Sequence, residues 1–523
     1  MTRTIARFQR CARIRIAATG LLLIVPAVFG RSAPADKPLS LTLRQCVETA
    51  LRENLSLSIE RLNPAMDTLA LKEIREKFLP QFGLTYQNSD TNTPGSWGIE
   101  GSNVAAKSDS LNFGLTQSFA WGTSLSLDVS SSMTNTTRSF TTINPSYYSS
   151  VQLNLNQPLL RGFGTKASNV ETIKAERAIE MADASLRSLA LQIVYNVEEA
   201  YWNLVQAREN LKVQESSLAS SREVLARNRE AARIGTESGS EVLNAETEVA
   251  RYEDAVLSAA RAVQSQEDQL KKLMYLPAGG EEMIIPLDPP TIEIREVSAE
   301  EVLRTALANR PEMDVSRRQV ENSQSDVDYF RNQVLPKLDL NFSFWNPGIS
   351  GVKYVYQDDN PLTGIVIDRI VGGRRDSFMD ILKGKYKNWS VDLSLEVPLA
   401  NLLSRPGLAR ARVARDQYQL QLEKQKSDIE FEVQDVVRDL EAKARIIASS
   451  ARYRELTEKR IASETRRYQQ GLVGSEWLFN YRRELANAKS AEIQAIVDYK
   501  IALARLDRIM GHSPAVALVR NSL

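Results

Sequence analysis

Few side chains in this 523-residue chain could do chemistry, and they are scattered. His512 is the one histidine, near the C-terminal end, and no cysteine or acidic cluster accompanies it to build a metal or triad site. Gly162-Phe163-Gly164-Thr165-Lys166 ends in Thr-Lys but lacks the spacing of a phosphate loop, so it reads as a strand exit and helix start. Cys46 is the only cysteine outside the N-terminal leader, which rules out an intramolecular disulfide, and it reads as a small apolar residue on a helix face. Neither catalysis nor a cofactor is expected. Binding is another matter: Gly471-Leu472-Val473-Gly474 holds two apolar residues between glycines, and an exposed turn rarely needs Leu-Val unless a partner or its own neighbours cover it. Gly235-Thr236 marks a comparable turn earlier in the chain.

The elements that carry these turns follow from composition and pattern. Residues 1–35 read as a signal peptide, with Arg3, Arg7, Arg10, Arg13 and Arg15 before a largely apolar run and Ala33-Pro34-Ala35 as a cleavage site. The leader, with Arg31, removes six of the 66 basic residues and no acidic one, so the mature chain carries 60 basic against 65 acidic residues. That balance is no footprint for nucleic acid. Beyond the leader no stretch has the roughly 18 consecutive apolar residues of a membrane-spanning helix, so insertion into a membrane must use strands.

The chain repeats itself. Thr49-Ala50-Leu51 returns as Thr305-Ala306-Leu307, and Leu79-Pro80 with Leu84 returns as Leu335-Pro336 with Leu340 in the same register. At a second offset, Val151 to Pro158 resembles Val391 to Pro398, Gly235 resembles Gly471, and Leu270 with Met274 resembles Leu506 with Met510. The spacing predicts a first repeat over 36–280, a proline-rich connector over 281–296, a second repeat over 297–511 and a C-terminal tail over 512–523. Each repeat reads as helix, strand, strand, very long helix, turn, helix.

Leu338, Leu340, Phe342 and Phe344 alternate with Asp339, Asn341 and Ser343, and Val391, Leu393 and Leu395 alternate with Asp392, Ser394 and Glu396. This period of two gives each strand an apolar and a polar face, as in a sandwich or in a transmembrane barrel with a polar lumen. Trp121, Tyr147, Tyr148, Trp345 and Trp389 stand at strand ends, where an aromatic girdle would sit. Two strands per half make four per chain, too few to close a wall alone, so several copies must combine. The first half also carries an extra hairpin at about 109–133, around Trp121-Gly122, which either extends the wall above the membrane or forms a surface cover.

Between the strands lie rods. Ala190, Val197, Leu204, Leu211, Leu218 and Leu225 recur every seven residues, with Leu186, Ile193, Ala200 and Ala207 interleaved, which is a coiled-coil seam. A continuous helix from Thr165 to Ile234 would reach roughly 100 Å. Leu422, Ile429 and Val436 with Val433, Leu440 and Ile447 repeat the seam.

Leader, tandem halves, strand pairs between long helices, the Leu79-Pro80 and Leu335-Pro336 junctions, Asn156-Gln157-Pro158-Leu159-Leu160 and the run Gly235 to Ala245 together resemble the TolC-type outer-membrane efflux protein family. The resemblance implies a mixed α+β membrane protein: a homotrimer whose strands pool into one transmembrane β-barrel, twelve-stranded in the simplest pattern, above a long α-helical coiled-coil tunnel in the periplasm. It implies a passive duct in the outer-membrane lipid for tripartite efflux or type I secretion, coupled to a periplasmic adaptor and an inner-membrane transporter. It implies adaptor docking at the tips formed by Gly235, Thr236, Gly471, Leu472, Val473 and Gly474. It also implies a periplasmic pore constriction in which Glu241 falls where an acidic residue rings the tunnel mouth and Asn244 departs from a second acidic position, with Glu476 and Asn480 in similar places one residue out of step. The rival reading is a non-channel coiled-coil surface or envelope-spacer protein, against which the repeated strand pairs count. A periplasmic hydrolase is disfavoured because no nucleophile constellation is present.

Overall fold

The computed structural model describes residues 39–95, 103–138, 141–236, 238–277, 283–291, 293–360, 365–397, 405–470 and 472–512. The leader, Gly471, most of the C-terminal tail and part of the connector lie outside the described residues.

The first half opens with β1 (Leu39–Leu41) and the helices α1 (Leu43–Glu53), α2 (Leu55–Glu60) and α3 (Leu62–Glu76). Thr42 starts α1 through a capping box with Gln45, which satisfies two otherwise unpaired backbone donors, and Asn54 both ends α1 and caps α2. Four strands follow: β2 (Gln81–Pro94), β3 (Asn103–Ser118), β4 (Ser124–Thr136) and β5 (Ile143–Pro158). Then come the short α4 (Thr165–Ser168), the 64-residue α5 (Val170–Arg233) and the 35-residue α6 (Gly239–Leu273). The expected single rod from Thr165 is broken at Asn169, whose φ of −120° and ψ of 18° leave the helical region.

The connector contributes β6 (Ile284–Pro286), which pairs in parallel with β1. The second half runs α7 (Ala299–Asn309), α8 (Pro311–Gln333), β7 (Lys337–Tyr356), β8 (Val366–Val371), α9 (Arg374–Leu382) and β9 (Asn388–Glu396). It ends with α10 (Pro406–Gln469) and α11 (Ser475–Ile509), of 64 and 35 residues, the lengths of α5 and α6. β8 and α9, between the two strands of this half, have no counterpart in the alternation read from sequence.

The heptad seam is the core. Leu186, Ala190, Ile193, Val197, Ala200 and Leu204 of α5 are buried against α1, α6 and the connector, while Ile429, Val433, Val436, Leu440 and Ile447 of α10 are buried against α7 and α11. Tyr201 clamps the connector: its hydroxyl donates to Asp288 Oδ2 at 2.8 Å and accepts from Asp288 N at 3.1 Å. Cys46 is fully buried in this core, and loss of hydration pushes its thiol up to about 12, so it packs as an apolar residue.

All the long strands form one antiparallel sheet in the order β2-β3-β4-β5-β7, with β9 and β8 sharing the far edge of β7, β9 near the helices and β8 beyond. The extra hairpin is therefore built into this sheet. Its strands β3 and β4 stand in the middle of the sheet, so each chain presents six strands across where four were expected.

Candidate channel wall and helical tip

The register keeps two chemically different faces apart across all six strands. On one, Phe82 and Leu84 of β2 lie opposite Leu115 and Phe113 of β3, which lie opposite Leu127 and Val129 of β4. Leu155 and Leu153 of β5 carry the row to Phe342 and Phe344 of β7, and those two lie opposite Val391 and Trp389 of β9. Many of these side chains face outward with nothing over them, Phe82 at 71% and Trp389 at 70% exposure. The other face is a polar ladder: Asn154 Nδ2 donates to Ser126 Oγ at 3.1 Å, Ser343 Oγ donates to Asn154 Oδ1 at 2.9 Å, and Asn156 Nδ2 donates to Asn341 Oδ1 at 2.5 Å. Tyr147 and Trp389 stand on the apolar face, as a girdle requires. Tyr148 and Trp345 do not: each is one residue out of step and shares the polar face, because side chains alternate strictly along a strand.

The bottom of the inserted hairpin is anchored to the helical body. Gly164 N donates to Trp121 O at 3.0 Å, so the glycine-rich stretch after β5 is the strand exit and helix start that its sequence suggested. Trp121 stacks on Phe119 in that turn, with ring centroids 4.8 Å apart.

At the far end of the rods the two helical turns come together. α5 and α6 meet at Gly235, whose φ of +80° lies in the left-handed region open to glycine. Four helices are stitched there by polar side chains. Tyr468 of α10 donates to Asn228 Oδ1 of α5 at 2.5 Å, Asn228 Nδ2 donates to the Glu241 carbonyl of α6 at 3.3 Å, and Glu241 Oε2 accepts from Ser475 N of α11 at 3.2 Å and from Ser475 Oγ. Beneath lies a small apolar core of Val224, Leu225, Ala245, Val249, Leu478 and Phe479, on which Val473 packs. Leu472, at 65% exposure, is left outside it. Gly474 adjoins Glu241, while Thr236 is exposed and its Oγ1 donates to Ala231 O at 3.0 Å.

The model of the family described as outer membrane efflux protein matches residues 120–274 and 302–512, well over half of the chain. The chain belongs to the outer membrane efflux protein family. Among solved structures its fold is similar to the outer-membrane channel OprN, with a TM-score of 0.63, 16% identity and 90% of each chain covered. It is also similar to the Campylobacter jejuni CmeC outer membrane channel, with a TM-score of 0.61, 13% identity and 94% of this chain and 93% of that one covered. The open-state Neisseria gonorrhoeae MtrE outer membrane channel gives a TM-score of 0.59 at 17% identity, with 92% and 94% covered. No curated protein sequence matches the chain.

In this member of the efflux family the candidate constriction residues fall into two pairs that do not behave alike. Asn244 and Asn480 are each the sixth residue of their helices, α6 and α11, whereas Glu241 is the third of its helix and Glu476 the second. Asn244 and Glu476 are exposed, and Asn480 accepts from Arg483. Glu241 is committed to Ser475, a contact invisible to a reading of either turn alone. Asn228 and Tyr468 were not singled out from sequence. An asparagine on the continued seven-residue spacing of Leu186, Ile193, Ala200 and Ala207 is the signal in the sequence, and the structure buries it at 1% exposure.

Midway along the rods Glu198 is pushed up to about 7, first by burial and then by the neighbouring charge of Asp507, whose own carboxyl is raised by burial.

Proposed function

We propose that three copies of this chain close into one continuous duct in the outer membrane, the passive exit of a tripartite efflux or type I secretion system, with no catalytic role. The observation that carries the reading is the pair of open sheet edges. β2 at one edge and β9 at the other are exposed along their length, and their outward faces are apolar. In hydrocarbon each unpaired backbone group costs several kcal/mol, so such edges must find partners. The six strands alternate in direction, so β9 of one copy and β2 of the next meet antiparallel, and the wall closes without a mismatch.

Three copies follow from the family resemblance. With six strands from each, the wall has eighteen rather than twelve, and the lumen is about 1.5-fold wider, since barrel diameter grows nearly in proportion to strand number. Polar face inward, apolar face to lipid, is the arrangement expected of such a barrel. Two tandem repeats are supported by the identical 64- and 35-residue helix lengths in the two halves. The rods form the periplasmic tunnel; Leu472 with its neighbouring tip residues meets the adaptor, through which an inner-membrane pump supplies the energy. Glu241, Asn244, Glu476 and Asn480 lie near the tunnel mouth in this reading.

Purified mature protein should run as a trimer in detergent and conduct ions across a planar bilayer. A monomer without conductance would remove the channel reading and favour an envelope spacer.

A further inference from the structure

α9 lies flat against the sheet, and the residues it touches fix the side. Ser377 is fully buried, with its Oγ 2.8 Å from Ser149 Oγ, and Asn346 Nδ2 donates to the Ile381 carbonyl at 2.6 Å. Gly348 makes the approach possible, because a Cβ there would overlap the Ser377 carbonyl oxygen. Arg374 pairs with Asp109. Ser149, Asn346 and Asp109 stand on the same side of their strands as Leu153, Phe344 and Leu111. The helix therefore covers the apolar face, not the polar one.

Its height is fixed as well. β9 is nine residues long, close to the 9–11 or so that a tilted strand needs to cross hydrocarbon. Its end at Glu396 pairs with Lys337, just past α8, and its start at Asn388 follows α9 after five residues. α9 thus sits at the border of the apolar band farthest from the rods.

That border is cationic. Residues 374–387 hold five basic side chains against two acidic ones. Arg374 is held by Asp109 and Lys385 by Asp380, and Asp376 accepts from Gly373 N. Arg375, Lys383 and Lys387 are exposed and make no ion pair among the described residues. Beside them Leu382 is 79% exposed and Trp389 70%. Free cations, an outward leucine and an indole at a hydrocarbon border make an interfacial element, and the anion available at that depth is a headgroup phosphate.

We propose that α9 and the turn Lys383–Lys387 form a binding site for the phosphate-bearing headgroup of an outer-leaflet lipid, one site per protomer. The proposal rests on the channel reading for its orientation. The charge, the continuity with the apolar wall and the level of the strand ends all select this occupant.

The test uses full-length trimer reconstituted in phosphatidylcholine vesicles with and without a bisphosphorylated lipid A, with bound lipid weighed by native mass spectrometry after detergent release. The parent should retain lipid A. Lys383→Gln and Lys387→Gln should each weaken retention roughly fivefold, about the worth of one cation near an anionic surface, and Arg375→Gln should act alike. Equal retention by the triple variant overturns the proposal, as does displacement by inorganic phosphate alone, which would make the site one for the free anion. Protection of Lys383 from amine labelling in lipid-free trimers would mean that a neighbouring chain covers it, and would also overturn the proposal. Bilayer conductance of each variant separates the two readings: a conducting trimer that binds no lipid A fails only this inference, whereas a parent that does not conduct fails the channel itself.

Discussion

Tyr468 and Asn228, 240 residues apart in sequence, share a buried hydrogen bond of 2.5 Å at the tip of the rods. Through Asn228 and Glu241 that bond reaches all four long helices, so the tip is held by polar contacts rather than by apolar packing alone. Asn228→Ala removes the bond from Tyr468 and the one to the Glu241 carbonyl, a loss of about 1–3 kcal/mol for the two together. Amide exchange over 228–242 should quicken and resting bilayer conductance should rise. Unchanged exchange would show that the bond does not hold the tip.

Glu241 has two possible duties, charge and contact, and a pair of variants tells them apart. If its carboxylate acts on permeating ions, Glu241→Gln lowers cation preference in bilayers while Ser475→Ala, which removes one donor to that carboxylate, leaves the preference in place. Equal selectivity in parent and Glu241→Gln would leave it only the contact.

Leu472 and Val473 are expected to part company. Glu at Leu472, which is exposed, should abolish crosslinking to the adaptor while trimers persist. Glu at Val473, which packs on the tip core, should instead lower the thermal midpoint, because it buries a charge against Leu478 and its neighbours. Undiminished crosslinking by the Leu472 variant would move the docking patch elsewhere.

Deleting residues 96–140 removes β3 and β4 and leaves β2 to pair with β5, still antiparallel. The proposed barrel should then fall from eighteen strands to twelve, and its diameter, measured by electron microscopy, to about two-thirds. An unchanged diameter would place the hairpin outside the closed wall.

Glu198 makes stability pH-dependent. Its folded pKa of about 7 exceeds the ordinary 4.5, so between these values the unfolded chain binds fewer protons than the folded one, and stability falls as pH rises through that window. Glu198→Gln should melt higher than the parent at pH 8 and at the same temperature near pH 4. An identical gap at both pH values would assign the effect to packing instead.

The seams, the alternating strands and the turns at Gly235 and Gly122 were legible in the sequence because each is a local pattern: a period of seven, a period of two, or a residue able to take a positive φ. Leu204 and Val433 are buried, and Leu153 and Phe344 share one face, because spacing along the chain determines direction within an element. Spacing says nothing about which element lies alongside. The seating of α9 on the apolar face through Ser377 and Ser149 and the contacts of Tyr468 with Asn228 and of Glu241 with Ser475 join residues far apart in sequence, and the enrolment of β3 and β4 in the same sheet as β2 and β5 turns on which strand edges pair. The face of Trp345, by contrast, follows from alternation alone, since it is the residue after Phe344 on the same strand. Those partnerships depend on long-range pairing and on the shapes of surfaces that exist only once the sheet and the rods have formed, so tertiary structure alone decided them.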